Sequence, residues 1–151
     1  MSHYFDTLKA EILRHSNSGN WAVAIEEWSV EDIYEEHEGT CTCGYNPITQ
    51  HNVICNKYTK TSLVVGRVCV KRFLPDKKVE KIWCALDKLK KQKLTSVPLI
   101  LIQAAEEYQW CEKTEIEFLL NIRRKRALSH KQLIWRNKLS RQILYKALWR
   151  D

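Results

Sequence analysis

The stretch TCTCG at residues 40–44 contains two cysteines separated by one residue, and VGRVCV at residues 65–70 contains a third cysteine. Two thiols at that spacing converge on one point only where the backbone curls around it, and the glycine that follows relaxes the steric limit on the curl. Cys41, Cys43 and Cys69 therefore predict a zinc site formed by a cysteine turn that faces the end of a β-hairpin.

A four-coordinate zinc site needs one more ligand, and the sequence leaves three candidates open. Cys55 and His51 are four residues apart on a predicted strand, so both would lie on the same face. Cys55 ranks first because all-cysteine sites are a common structural arrangement, His51 ranks second, and His37 ranks third. Four protein ligands would make the site structural, whereas three would leave room for water and chemistry. We expect the structural role.

Apolar spacing predicts an α+β fold, in which a small zinc-stapled β-hairpin module follows an N-terminal helix and precedes a C-terminal helical bundle. The predicted domains are residues 1–74 and 75–151. The predicted strands are residues 28–34, 52–58 and 62–70. The predicted helices are residues 4–14, 76–93, one that begins near residue 95 with Pro98 in its first turn, 115–127 and 130–149, the last two with capping boxes at Thr114/Glu117 and Ser129/Gln132.

These segments also carry a resemblance. TCTCG (40–44), Pro47-Ile48, Asn56 and VGRVCVKRF (65–73) resemble a group of small phage-type zinc-knuckle proteins, and EFL (117–119) with LSHKQ (128–132) resembles a helical hairpin of phage and prophage proteins. The resemblance covers about residues 28–73 and 115–145. It implies a viral or mobile-element origin and a metal-binding module, and it implies no reaction.

The chain departs from the pattern of that group next to the cysteine turn. In the group, a histidine often follows the knuckle glycine, and a cysteine or polar residue falls near positions 51–52. Here Tyr45, His51 and Asn52 occupy those places. The resemblance therefore leaves the fourth ligand open.

The net charge of +7 is unevenly distributed. Residues 1–75 carry seven Lys/Arg against nine Asp/Glu, a net −2, and residues 76–151 carry eighteen against nine, a net +9. A basic half favours a polyanion or an acidic protein surface as partner, because bound cations release counterions. Solvation of helical faces by Lys and Arg is an equally simple explanation.

The last predicted helix combines aromatic and basic residues. At 100° per residue, Leu133, Leu144, Ala147 and Leu148 fall on one side and are expected to face the core. The opposite side groups a set of candidate binding residues within an arc of about 80°. They are Trp135, Lys138, Gln142, Lys146 and Trp149. Such a surface suits stacking on unpaired bases or a protein contact, while burial of both sides in a bundle is the structural alternative.

A second basic feature is the run RRKR, which comprises Arg123, Arg124, Lys125 and Arg126. We place it at the C-terminal end of a helix, where the helix dipole favours positive charge. Phosphate binding is the functional alternative for this run.

Composition narrows the setting. The sequence lacks a run of about 18 apolar residues and a secretory signal at its start, so we expect no membrane segment and a place in the host-cell cytosol. Six cysteines in a reducing compartment favour metal ligands or core packing over disulfides. We expect Cys84 and Cys111 to be small core residues.

Three functions follow from these features. The first is a zinc-binding accessory or regulatory protein that binds nucleic acid. The second is a phage-type inhibitor or adaptor that binds a host enzyme or defence complex. The third, a small zinc-supported nuclease, has little support because His51-Asn52 has no second histidine at a useful spacing. We therefore expect a binding protein and not an enzyme.

Overall fold

The computed structural model describes residues 3–75, 77–91 and 96–149, and it divides the chain into the units Met1–Val79 and Glu80–Asp151. The boundary expected from the sequence lies a few residues earlier. The strands are β1 (Trp28–Glu35), β2 (Gln50–Asn56) and β3 (Ser62–Gly66). The helices are α1 (His3–Arg14), α2 (Trp21–Ala24), α3 (Arg67–Phe73), α4 (Lys78–Lys90), α5 (Leu99–Glu107), α6 (Lys113–Ile122) and α7 (His130–Leu148). The predicted α+β class, with an N-terminal helix and C-terminal helices, is confirmed.

The three strands form one antiparallel sheet in the order β1-β2-β3. Side chains on alternating positions bury one face, where Ile33, Ile54 and Val65 are fully buried. On the other face, His51 lies directly opposite Gly66. This register brings the end of β3 beside the start of β2, where the connection from β1 arrives.

The third strand is shorter than the sequence predicted. Residues 62–70 contain four valines and favour a strand locally, yet β3 ends at Gly66 and α3 begins at the next residue. Helical spacing buries Val70 and Phe73 on one side of α3, and this burial overrides the local strand preference. Cys69 therefore lies in a helix and not on a strand.

A short helical segment that the sequence did not predict precedes β1. α2 begins after Asn20, whose side chain accepts a hydrogen bond from the Val23 N–H at 3.2 Å, and a 3-10 turn, Ile25–Glu27, leads into β1. The Trp21 ring lies 6.3 Å from the ring of Phe5 in α1 and 6.3 Å from that of Phe73 in α3. These aromatic contacts join both N-terminal helices to α3.

A buried carboxylate connects this segment to the sheet. Glu27 accepts hydrogen bonds from the N–H groups of Asn17 (2.7 Å) and Ser18 (3.0 Å) and from the Asn56 amide (2.9 Å). Burial alone would raise the pKa of Glu27, but the hydrogen bonds from Asn56, Asn17 and Ser18 outweigh it and hold the pKa below its ordinary value of 4.5. The ionised carboxylate therefore fastens the loop after α1 to the end of β2.

The second unit is helical. Its core includes Trp83 of α4, Leu101 and Ile102 of α5, Leu119 of α6 and Ile143 of α7, each at most 1% exposed. None of the described helices offers the length of apolar sequence that a bilayer crossing needs.

The helix starts agree with the sequence in part. Ser129 and Gln132 form the predicted capping box of α7. The box of α6 is formed by Glu112 and Glu115 and not by Thr114 and Glu117, because the helix begins earlier than predicted. Pro98 is the N-cap residue of α5 and does not lie inside its first turn. Asp76 and residues 93–95, where we placed other helix ends, lie outside the described residues.

We predict that Glu27→Gln lowers the urea midpoint of unfolding, because the amide NH2 group would face a backbone N–H and leave it unpaired. The exposed neighbour Glu26 provides the control Glu26→Gln, which should leave the midpoint unchanged. The carboxylate of Glu27 stabilises the fold above its ordinary pKa, and this contribution is lost as the pH falls through the lowered folded pKa. The difference between wild type and Glu27→Gln should therefore shrink on acidification, and a pH-independent difference would contradict the role of the charge.

Candidate metal centre

Three of the six cysteines come together in the first unit. The sulfur atoms of Cys41, Cys43 and Cys69 all lie within 4.8 Å of one another, and the described residues add no other cysteine, histidine or carboxylate to this group. Cys41 and Cys43 are buried, and Cys69 is half-buried. Three cysteine ligands are typical of sites for zinc and similar soft-binding metals, so the cluster could hold a metal ion.

The connection between β1 and β2 folds so that two cysteines reach the end of β3. Hydrogen bonds continue the hairpin beyond the strands, with the Ile48 N–H donating to the Gly39 carbonyl and the Cys41 N–H donating to the Tyr45 carbonyl, both at 3.0 Å. Gly44 closes the turn at φ +97, a conformation that favours glycine. The curl that the sequence predicted around Cys41 and Cys43 is present.

Thr42, between the two cysteines, fixes the turn to β3. Its backbone N–H (2.9 Å) and its hydroxyl (2.7 Å) both donate to the carbonyl oxygen of Val64. This carbonyl is on the strand edge that does not pair with β2, so the turn covers an otherwise unpaired edge of the sheet. No role was predicted for Thr42, although a hydroxyl residue between two ligands is a signal that the sequence contains.

Backbone N–H groups point at the sulfur atoms. Cys41 Sγ accepts from Gly66 at 3.2 Å and from Cys43 at 3.5 Å, and Cys43 Sγ accepts from Tyr45 at 3.4 Å. Donors aimed at sulfur stabilise the thiolate over the thiol, and the thiolate is the form that binds metal. The backbone around the cluster is therefore arranged for negatively charged sulfur.

The three thiols do not ionise equally. A hydrogen bond from the Cys69 thiol, helped by the N–H groups of Cys43 and Gly66, lowers the pKa of Cys41 to about 5. The same hydrogen bond to Cys41 and burial raise the pKa of Cys69, and burial raises the pKa of Cys43. The first thiolate forms readily, and its negative charge opposes ionisation of the next thiol. A bound divalent cation would offset this repulsion and allow all three thiols to ionise together.

The structure does not bring Cys55 to this cluster. Its sulfur donates to the carbonyl of Asn56 at 3.7 Å, and its cross-strand neighbours are Ser29 and Ser62. His37 is exposed and does not join the cluster either. The strand alternation that placed Cys55 and His51 on one face holds, but that face reaches the sulfur atoms only near the end of β3.

His51 also remains outside the cluster. Its ring stacks on Tyr34 at 4.7 Å, Nδ1 lies 2.9 Å from the Thr49 carbonyl, and Nε2 is buried without a hydrogen-bond partner among the described residues. A Cβ on Gly39 would lie 2.2 Å from this Nε2, so only glycine fits above the ring. His51 therefore supports the connection that carries Cys41.

A cleft of about 490 Å³ adjoins the cluster, and all three cysteines line it. Tyr4 and Tyr45 meet edge to face at 5.5 Å in its wall. The other lining residues are Glu35, Pro47, Ile48, Thr49, Gln50, Gly66, Arg67, Val68 and Arg72. The sequence analysis assigned neither arginine to the site: Arg72 lies beyond the predicted strand, and the shared strand face of Arg67 and Cys69 is a signal that could have identified Arg67.

The candidate binding residues of α7 are divided between surface and interior. Trp135 (39% exposed) stacks on Phe118 with ring centroids 3.9 Å apart, and Trp149 is 46% exposed. Lys138 and Lys146 are exposed. Gln142 is half-buried, and its amide donates to the Trp110 carbonyl (2.9 Å) and to Glu115 (3.0 Å). Gln142 thus holds α7 to its neighbours and leaves four of the five predicted residues at the surface.

The buried side of α7 differs from the prediction at one residue. Leu144, Ala147 and Leu148 are buried as expected, whereas Leu133 is 38% exposed. Leu139 and Ile143 are also fully buried. The core side therefore follows the i, i+4 series through Leu139, Ile143 and Ala147.

The RRKR run lies at the end of α6 and in the loop that follows it. α6 ends at Ile122, so Arg123 is its C-cap residue and residues 124–126 follow in the loop before α7 instead of continuing a helix.

Cys84 is exposed and not a core residue, and its thiol donates to Glu80. Cys111 is half-buried, and burial raises its pKa to about 11, which keeps it a thiol.

Comparison with protein-family models, with curated proteins and with solved structures finds no match to this chain. The sulfur cluster and the surfaces of each unit are therefore the basis for assigning a function.

We predict that Cys69→Ser weakens divalent-metal binding far more than tenfold, since loss of even an outer hydrogen bond to a ligand costs about 10–100-fold. Cys55→Ser is the matched control and should keep one metal ion per chain. Elemental analysis of the purified, reduced proteins, with melting curves in chelator, measures both. Equal metal content in the two variants would contradict the three-sulfur cluster.

Proposed function

We propose that the chain is a zinc-binding protein whose basic helical unit binds single-stranded nucleic acid, and that it binds without catalysing a reaction. Zinc is the proposed metal because three thiolates match its ligand preference and because Zn²⁺ is not redox-active. Its role would be to hold the β1–β2 connection on β3. The resemblance to phage-type zinc-knuckle proteins supports a phage or mobile-element origin and action in the host cytosol.

The observation that carries the nucleic-acid proposal is the exposed side of α7. The helix contains five Lys/Arg and no Asp or Glu. Within an arc of about 140° it exposes aromatic and basic side chains together. We call this set the basic-aromatic surface; it comprises Lys131, Trp135, Lys138, Arg141, Tyr145, Lys146 and Trp149.

The composition of this surface fits an unpaired strand. Exposed rings offer faces on which bases stack regardless of sequence, and interleaved cations meet the phosphates. Trp135 is held by its stack on Phe118, so its position is fixed before a base arrives. Trp149, directly after the last helical turn, is the least covered tryptophan of the surface.

A salt series tests the proposal. With four cations on the surface, binding of a labelled single-stranded oligonucleotide should show a log–log salt slope of about −3, and Lys138→Gln with Lys146→Gln should reduce it by about 1.4. The matched control replaces Lys81 and Lys88, exposed on α4, by Gln and should keep the slope. A flat salt response of the wild-type protein would remove the nucleic-acid proposal.

A second variant tests stacking. Trp149→Ala should weaken oligonucleotide binding by about 1–3 kcal/mol, the loss of one stacked base. Tyr58, exposed in the first unit, provides the control Tyr58→Ala, which should leave affinity unchanged. Fluorescence anisotropy at low salt measures both variants. Unchanged affinity of Trp149→Ala would show that this ring does not contact the strand.

The exposed apolar residues of the same unit favour a second candidate function. Ile134 (56%), Leu133 and Leu120 are exposed, and aliphatic exposure of this kind suits a protein partner better than a nucleic acid. A flat oligonucleotide response, with capture of one host protein by wild type and not by Ile134→Asp, would favour the inhibitor or adaptor function.

A further inference from the structure

We propose that the fourth coordination position of the metal opens into the cleft and takes a small oxyanion, a carboxylate or a phosphate, that Arg67 and Arg72 hold. This inference rests on the metal site of the proposed function and adds a ligand to it.

All three residues of the sulfur cluster, Cys41, Cys43 and Cys69, belong to the wall of the cleft. The described residues supply no fourth metal-ligating atom to the group. A metal bound by three protein ligands keeps one position for water or an exogenous ligand. The three candidate fourth ligands, Cys55, His51 and His37, do not line the cleft, so we infer that the fourth position is reached from the cleft.

The cations are placed by the same helix that supplies a sulfur. Arg72 follows Cys69 by three residues in α3, so both side chains emerge on one side of the helix and both line the cleft. Arg67 also lines the cleft, and its guanidinium donates to the Gln50 side chain at 3.3 Å, which orients it. Guanidinium groups pair with the two oxygens of carboxylate or phosphate in a fork geometry.

Charge explains why the arginines belong to the ligand site. A divalent ion with three thiolates carries a net charge of −1 and by itself repels an anion. Arg67 and Arg72 add two positive charges at the mouth of the site and Glu35 in the same wall adds one negative charge, so the metal site and its surroundings together are close to neutral and no longer repel an anion. The cleft therefore suits a small ligand of low charge, and its volume is at the lower end of the range for small-molecule sites.

The test uses the full chain loaded with Co²⁺, whose visible bands report on coordination. Acetate and inorganic phosphate are titrated separately, and we expect at least one of them to change the bands saturably. Arg72→Gln should weaken binding of that anion by about tenfold, because one charge-assisted hydrogen bond is lost. Lys71→Gln, at an exposed neighbour that does not line the cleft, is the matched control and should bind like wild type.

Two results would overturn the inference. One is a cobalt spectrum that neither anion changes, or an anion affinity that Arg72→Gln and Lys71→Gln lower equally. The other is an X-ray absorption spectrum of the zinc-loaded chain, without added anion, that shows a fourth sulfur or an imidazole. Absence of any thiolate-to-cobalt charge-transfer band would instead show that the metal does not bind, and that result counts against the proposed function itself.

Discussion

The first unit depends on the attachment of one turn to one strand edge. The two hydrogen bonds from Thr42 to Val64 and the N–H of Gly66 directed at Cys41 Sγ hold the β1–β2 connection on β3. Without these hydrogen bonds Cys41 and Cys43 would lie on a long loop that is not held opposite Cys69. The sulfur cluster and the cleft beside it follow from this attachment.

Much of this arrangement was visible in the sequence. The spacing of Cys41 and Cys43 before a glycine predicted a curl around a metal, and the distant Cys69 was predicted as a partner. Hydrophobic periodicity predicted the N-terminal helix, the sheet and the later helices, because burial of one face determines these elements. The capping box at Ser129 located the start of α7 because that signal is local.

The rest depended on tertiary contacts. The valines around Gly66 favour a strand, and only burial of Val70 and Phe73 makes α3 a helix. Cys55 ranked first as fourth ligand because all-cysteine sites are common, and strand alternation gave it a face but not a distance along the strand. Leu133 was expected in the core but is exposed, and Gln142 was expected at the surface but is half-buried. The elements packed against α7 determine which side of the helix is buried. The glycine at position 39 is explained only by the ring of His51 beneath it.

Gly66 is at once the last residue of β3 and the N-cap of α3, so no spacer separates strand from helix. One residue inserted between Gly66 and Cys69 would rotate the cysteine by about 100° around the helix and carry its sulfur away from the other two. The polar turn between β2 and β3 lies at the opposite end of the same hairpin. Changes in chain length should therefore accumulate in that turn and be excluded from the two residues, Arg67 and Val68, between sheet and ligand.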